Sequence, residues 1–247
     1  MGAVGFRCCS YSRSRHLTTS ANSANVDAFC VEHGRWTSQR EGRPTDGKFG
    51  ALSQLVTSNI RAAAQYKNNQ SEVWSNVDAT NAAHGKAAPS HTLMATIDDP
   101  EVVVRRDALA GRVNAYLQSS AARDGIVGLA YAVDGKVRAV RWFSSHGVFE
   151  LARPALTNTA AVDALTARAA QQPSANGPTP AAQASDVVAF VRDVENEQVR
   201  EERDTHAGNK NEYRESGHAY GSRTILKSVR ASAAAGTVPL SSDFIAK

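Results

Sequence analysis

The chain of 247 residues has no apolar run near the ~18 to 20 residues that a membrane-spanning helix requires. Its longest apolar stretches, such as Ile126 to Val133, suit buried strands, so a soluble protein is expected. Cysteine is scarce: Cys8, Cys9 and Cys30 are odd in number and share no spacing, which argues against a disulfide framework. The adjacent Cys8-Cys9 pair also lacks the two-residue gap of common zinc and redox motifs. Three reduced thiols in a cytoplasmic setting are therefore expected. No P-loop, dinucleotide-binding glycine pattern or Gly-x-Ser-x-Gly turn is present. His84, His91, His146, His206 and His218 show no ligand spacing, so no metal site built on histidine is expected, and no metal ligand is assigned. Internal repeats and heptads are absent as well.

Acidic residues are missing from the first 25 positions, which instead hold Arg7, Arg13, Arg15 and many Ser and Thr. That composition reads as a disordered or leader segment, with an organellar transit peptide as the alternative to a cytoplasmic protein. Residues 26–247 read as a single α/β domain with a Pro-rich linker near 171–183. Apolar content of 42% and charged content of 21% fit one large globular unit. The net charge of +4 is spread over the chain, often beside Glu or Asp, so no nucleic-acid footprint is expected.

Val26 to Glu32 roughly alternates apolar and polar residues, which predicts a strand; Gly34 to Gly50 reads as a long loop. Helical spacing follows over Leu52–Tyr66 and Asn69–Ala82. Asp98 or Asp99 before Pro100 starts a helix that runs to about Ala122, burying Val103, Leu109, Val113, Tyr116 and Leu117. Ile126–Val133 and Lys136–Phe143 are strands joined by Asp134-Gly135, a dipeptide favoured in tight hairpins. His146–Ala170 is a helix containing Pro154, and Ser185-Asp186 caps a shorter one. The charged stretch Glu195–Arg214 reads as a helix end or connector. Thr224–Val229 and Val238–Ile245 read as closing strands. The fold class expected is α/β (α+β): a mixed or antiparallel sheet with a central hairpin, packed by several helices.

Two segments concentrate chemistry. In Cys30-Val31-Glu32-His33-Gly34-Arg35-Trp36 a strand runs into a Gly turn that presents Arg and Trp. Gln70-Ser71-Glu72-Val73-Trp74 opens a helix. These segments, followed by Ile126 to Gly128 and Trp142 to Phe149, resemble the bacterial ADP-ribosylglycohydrolase- and rhodanese-phosphatase-associated domain family over about residues 26–170, and more loosely beyond. The resemblance implies proximity to ADP-ribose and phosphate chemistry but brings no catalytic mechanism with it. It also implies further strand structure before Cys30, which residues 1–25 do not resemble.

Arg35 has the fixed charge and fork geometry to hold a phosphate; its alternative role is an ion pair with Glu32 or Glu72. Trp36 and Trp74 can stack on a flat ring, with core packing as the alternative for Trp74. Glu32 and Glu72 are the candidate carboxylates for acid/base work or for holding a divalent metal through oxygen ligands, or partners that merely satisfy Arg35. Gln70 would orient a ligand. Cys30, inside a strand, reads as a small buried hydrophobe, and His33 is out of phase with it. The leading expectation is a domain that binds or processes a nucleotide or ADP-ribose-like small molecule between Cys30–Trp36 and Gln70–Trp74. The alternative is a non-enzymatic interaction module in which the same residues form a structural network. Neither a cofactor nor an enzyme class follows from these residues.

Overall fold

A computed structural model describes residues 5–7, 28–32, 39–40, 43–44, 56–170, 180–204, 209–226 and 238–247. Four short strands come first: β1 (Gly5–Arg7), β2 (Ala28–Cys30), β3 (Gln39–Arg40) and β4 (Arg43–Pro44). β1, within the stretch 1–25 expected to be a disordered or leader segment, pairs parallel with β2, which lies in the expected strand Val26 to Glu32, and β3 pairs antiparallel with β4. Four helices follow: α1 (Ser58–Gln65), α2 (Gln70–Ala83), α3 (Met94–Ile97) and α4 (Pro100–Ser119). After a 3-10 turn come β5 (Gly128–Val133), β6 (Lys136–Phe143), α5 (His146–Ala170) and α6 (Ala184–Glu195). The chain then adds β7 (Glu201–Asp204), β8 (Asn209–Glu215), β9 (Ala219–Leu226) and β10 (Val238–Ala246).

The last six strands form one antiparallel sheet in the order β5-β6-β10-β9-β8-β7, the α+β architecture expected from the sequence. The hairpin β5–β6 forms as read, with Asp134 at φ 51° and Gly135 at φ 72° supplying the left-handed turn. It stands at one edge of the sheet, because the C-terminal strand β10 inserts between β6 and β9.

Two expectations are corrected. The charged stretch read as a connector contains the paired strands β7 and β8. Its Glu and Arg side chains suit the outer edge of a sheet, where charge opposes pairing with further chains. On α4 the buried residues are Val102, Arg106 and Ala110, while Tyr116 is 75% exposed. The helix ends at Ser119 rather than near Ala122, and Val103, Leu109, Val113 and Leu117 are half-buried, so Tyr116 alone turns away from the expected face.

α6 covers one face of the sheet through Val194, Val140, Ala219 and Phe244. On the other face α1 packs by Ala62 and Tyr66 against Tyr220 and Ile245, and α5 packs by Phe149 and Leu156 against Phe143. α1 is enclosed on both sides, since Ile60, Ala63 and Ala64 also join Phe29, Val31, Val73, Val77 and Leu93 in a second core. Its run of three alanines permits this close approach from two directions while keeping high helix propensity.

Candidate functional site

The two chemistry-bearing segments meet. Asn69 caps α2, its side chain accepting from the Glu72 N–H at 3.1 Å, and this places Gln70 at the first helical position. The Gln70 side chain then grips the Cys30 backbone from both sides. The Cys30 N–H donates to Gln70 Oε1 at 2.8 Å, and Gln70 Nε2 donates to the Cys30 carbonyl at 2.7 Å. Beyond Cys30 the strand is tied by the Leu93 N–H to the Val31 carbonyl at 3.0 Å and by a bridge from Glu32 to Thr92.

The candidate side chains take different positions. Glu32 is 1% exposed, while Glu72 lies near the surface in an ion pair with Lys67. The two carboxylates thus occupy different environments. Trp74 is partly buried beside the fully buried Val73 and Val77. Arg35 and Trp36, with His33 and Gly34, lie outside the described residues. Cys30 is disulfide-bonded, which corrects the expectation of three reduced thiols. It is therefore no free nucleophile, and the cytoplasmic reading loses the support of reduced cysteines.

A polar cluster that the sequence reading missed lies between α1 and the sheet. Arg61 of α1 pairs with Asp243 of β10, both nearly fully buried. Register places Arg141 of β6 and Ser222 of β9 on either side of Asp243, all facing α1. Tyr66 donates its hydroxyl to the Asp243 carbonyl at 2.9 Å, and Gln65 Nε2 donates to Ser222 Oγ at 2.9 Å. Farther along, Asp163 of α5 accepts from the Ser58 N–H at 3.0 Å and from the Tyr131 hydroxyl.

Burial would raise the Asp243 carboxyl, but attraction to Arg61 and Arg141 outweighs it and holds the group below its ordinary value. Burial lowers the Arg141 guanidinium, with Arg61 adding repulsion. Both Tyr66 and Tyr131 are pushed well above the usual phenol range, first by burial and then by Asp243 and Asp163 respectively. The only sequence signals were an arginine within an apolar helical pattern and an aspartate before Phe244-Ile245. Neither reveals its partner.

At the C-terminal end of α1 a cleft of about 250 Å³ opens between the α1–α2 turn and the outer strands. Tyr66, Tyr213 and Tyr220 line it together with Lys67, Arg200 and Arg203. Tyr66 stacks on Tyr220 with centroids 5.1 Å apart and meets Tyr213 edge-on at 5.9 Å. A smaller hollow of about 120 Å³ adjoins His146, whose Nδ1 is 2.7 Å from the Ile126 carbonyl. Among the described residues, no group of three or more His, Cys, Asp or Glu could hold a metal. No helix among them is long and apolar enough to cross a membrane.

A protein-family model described as the ARG and Rhodanese-Phosphatase-superfamily-associated Protein domain matches residues 13–235. No curated protein and no solved structure matches the chain.

Proposed function

We propose a function from one premise: the chain belongs to the ARG and Rhodanese-Phosphatase-superfamily-associated Protein domain family. On our reading it binds or processes a small molecule in ADP-ribose- or nucleotide-linked metabolism. The observation that carries this reading is the junction of Cys30 with Gln70, which unites two polar and aromatic segments 40 positions apart. The ligand would lie where Cys30–Trp36 meets Gln70–Trp74.

In this reading Arg35 holds an anionic group, and Trp36 and Trp74 supply flat surfaces for a ring. Glu32 acts as acid/base from its buried position, with Glu72 as the alternative at the surface. Gln70 contributes through the strand it grips, because both ends of its amide are engaged by Cys30. A cytoplasmic location belongs to the same reading, with an organelle as its alternative.

That engagement of Gln70 also favours a second reading, in which the segments form a structural network in a non-enzymatic interaction module. A thermal-shift panel with ADP-ribose, NAD, AMP and phosphate separates the two. A ligand at about 100 times its Kd stabilises by about 2.7 kcal/mol. A rise in Tm with ADP-ribose or AMP that disappears in Arg35→Ala is the result expected for the binding domain. A flat panel, with Arg35→Ala sharply lowering the Tm of the free protein, overturns it in favour of the network.

A further inference from the structure

The tyrosine cleft at the end of α1 shares no lining residue with the Cys30–Gln70 junction and has its own chemistry. Four cations line it, Lys67, Arg200, Arg203 and Arg214, each paired with a carboxylate: Glu72, Glu215, Glu201 and Glu212 respectively. The aromatic faces already carry cations: the Arg203 guanidinium lies 4.4 Å from the Tyr213 centroid, and Lys247 Nζ lies 5.0 Å from that of Tyr220. A cationic guest would have to displace these groups, whereas an anion would exchange with carboxylates such as Glu201, which holds Arg203 at 2.6 Å and 2.9 Å.

The existing charge pairs do not close the site to an anion. Arg200 is bonded to Glu215 with its own side chain 70% exposed, and Lys67 is bonded to Glu72 with its side chain 39% exposed. Ion pairs so open to water contribute little, so a multiply charged ligand can compete with the carboxylates.

We propose that this cleft binds a compact phosphate-bearing ligand, of the pyrophosphate or sugar-phosphate class. Arg200, Arg203 and Lys67 grip the phosphate oxygens, and the tyrosine cluster forms the wall. Size excludes a whole dinucleotide: about 250 Å³ lies at or below the ~300 to 1,000 Å³ of ordinary small-molecule pockets. Guanidinium forks match phosphate oxygens two at a time, which explains arginine here in place of lysine alone.

Isothermal titration of the full chain with pyrophosphate, ribose 5-phosphate and ADP-ribose, with sulfate as the control anion, tests the site. Pyrophosphate or ribose 5-phosphate is expected to bind one to one, more tightly than sulfate. In Lys67→Gln/Arg200→Gln, both changes at exposed positions, affinity falls about tenfold or more, the loss of at least one charge-assisted hydrogen bond. Arg203→Gln weakens binding likewise, and Arg35→Ala does not. No heat with either ligand at millimolar concentration overturns the proposal, as does binding no tighter than that of sulfate. Pyrophosphate binding kept in Lys67→Gln/Arg200→Gln but lost in Arg35→Ala also overturns it, and leaves the Cys30–Gln70 reading standing.

Discussion

Arg61 and Asp243, 182 positions apart, form an ion pair that bolts α1 to the middle of the sheet, with only 4% and 6% of their side chains exposed. Breaking such a pair from one side leaves a charge stranded in a dry interior, at a cost of about 3–5 kcal/mol. Arg61→Ala is expected to lose stability on that scale in urea unfolding. Arg61→Met and Arg141→Met combined with Asp243→Leu, which together remove all three charges of the cluster, should lose clearly less. Equal losses would show that shape rather than charge governs the contact.

The same pair dictates the acid limb of stability. Asp243 titrates below 3.8 in the folded chain, so the unfolded chain takes up the proton first. Its contribution is complete above 3.8 and is lost as pH falls through the lower, folded value. Acid unfolding followed by circular dichroism should be less steep in Asp243→Asn, at the expense of stability near neutrality.

His84 produces a second pH effect nearer neutrality. Burial, then Arg105 and Lys86, lower its imidazole from 6.5, against opposing pulls from Asp99 and Glu101. The unfolded chain therefore protonates first, and stability declines as pH drops from 6.5 to the folded value. His84→Gln can keep the hydrogen bond to Thr166 while removing the titration. Its Tm should vary less with pH over that window than the parent's.

Gln70→Ala removes the donor and the acceptor that satisfy Cys30, leaving backbone groups on a partly buried strand without partners. A loss of about 1–3 kcal/mol is expected in denaturant unfolding. Amide exchange at Cys30 should accelerate at the same time. Unchanged protection there would mean that β2 is held by its other contacts.

Gly221 of β9 lies close against Val194 of α6 and Phe244 of β10. A methyl group there would lie 2.5 Å from Val194 Cγ1 and 2.9 Å from Phe244 Cδ1. Gly221→Ala is expected to destabilise by about 1–3 kcal/mol through overpacking. Adding Val194→Ala should recover part of that loss, as measured by the midpoint of thermal unfolding.

Elements whose signals are local were legible in the residues. The Asp134-Gly135 turn, the Asp99-Pro100 helix start and the 25-residue helix His146–Ala170 all stand where the pattern puts them. The hairpin turn needs positive φ at two adjacent positions, and the helix start needs a side-chain acceptor before a proline; short-range energetics decides both. β7 and β8 were not legible, because strands charged on both faces carry no apolar alternation.

The candidate site divides along the same line. Cys30–Trp36 and Gln70–Trp74 could be singled out as unusual residue combinations, and they carry the family resemblance. The sequence alone therefore determined the local elements, the α+β class and the family. Only the tertiary structure decided that Gln70 grips Cys30 and that Arg61 finds Asp243. Those choices depend on which faces are driven together and which charges then lose their water, and neither is encoded within a few residues of chain.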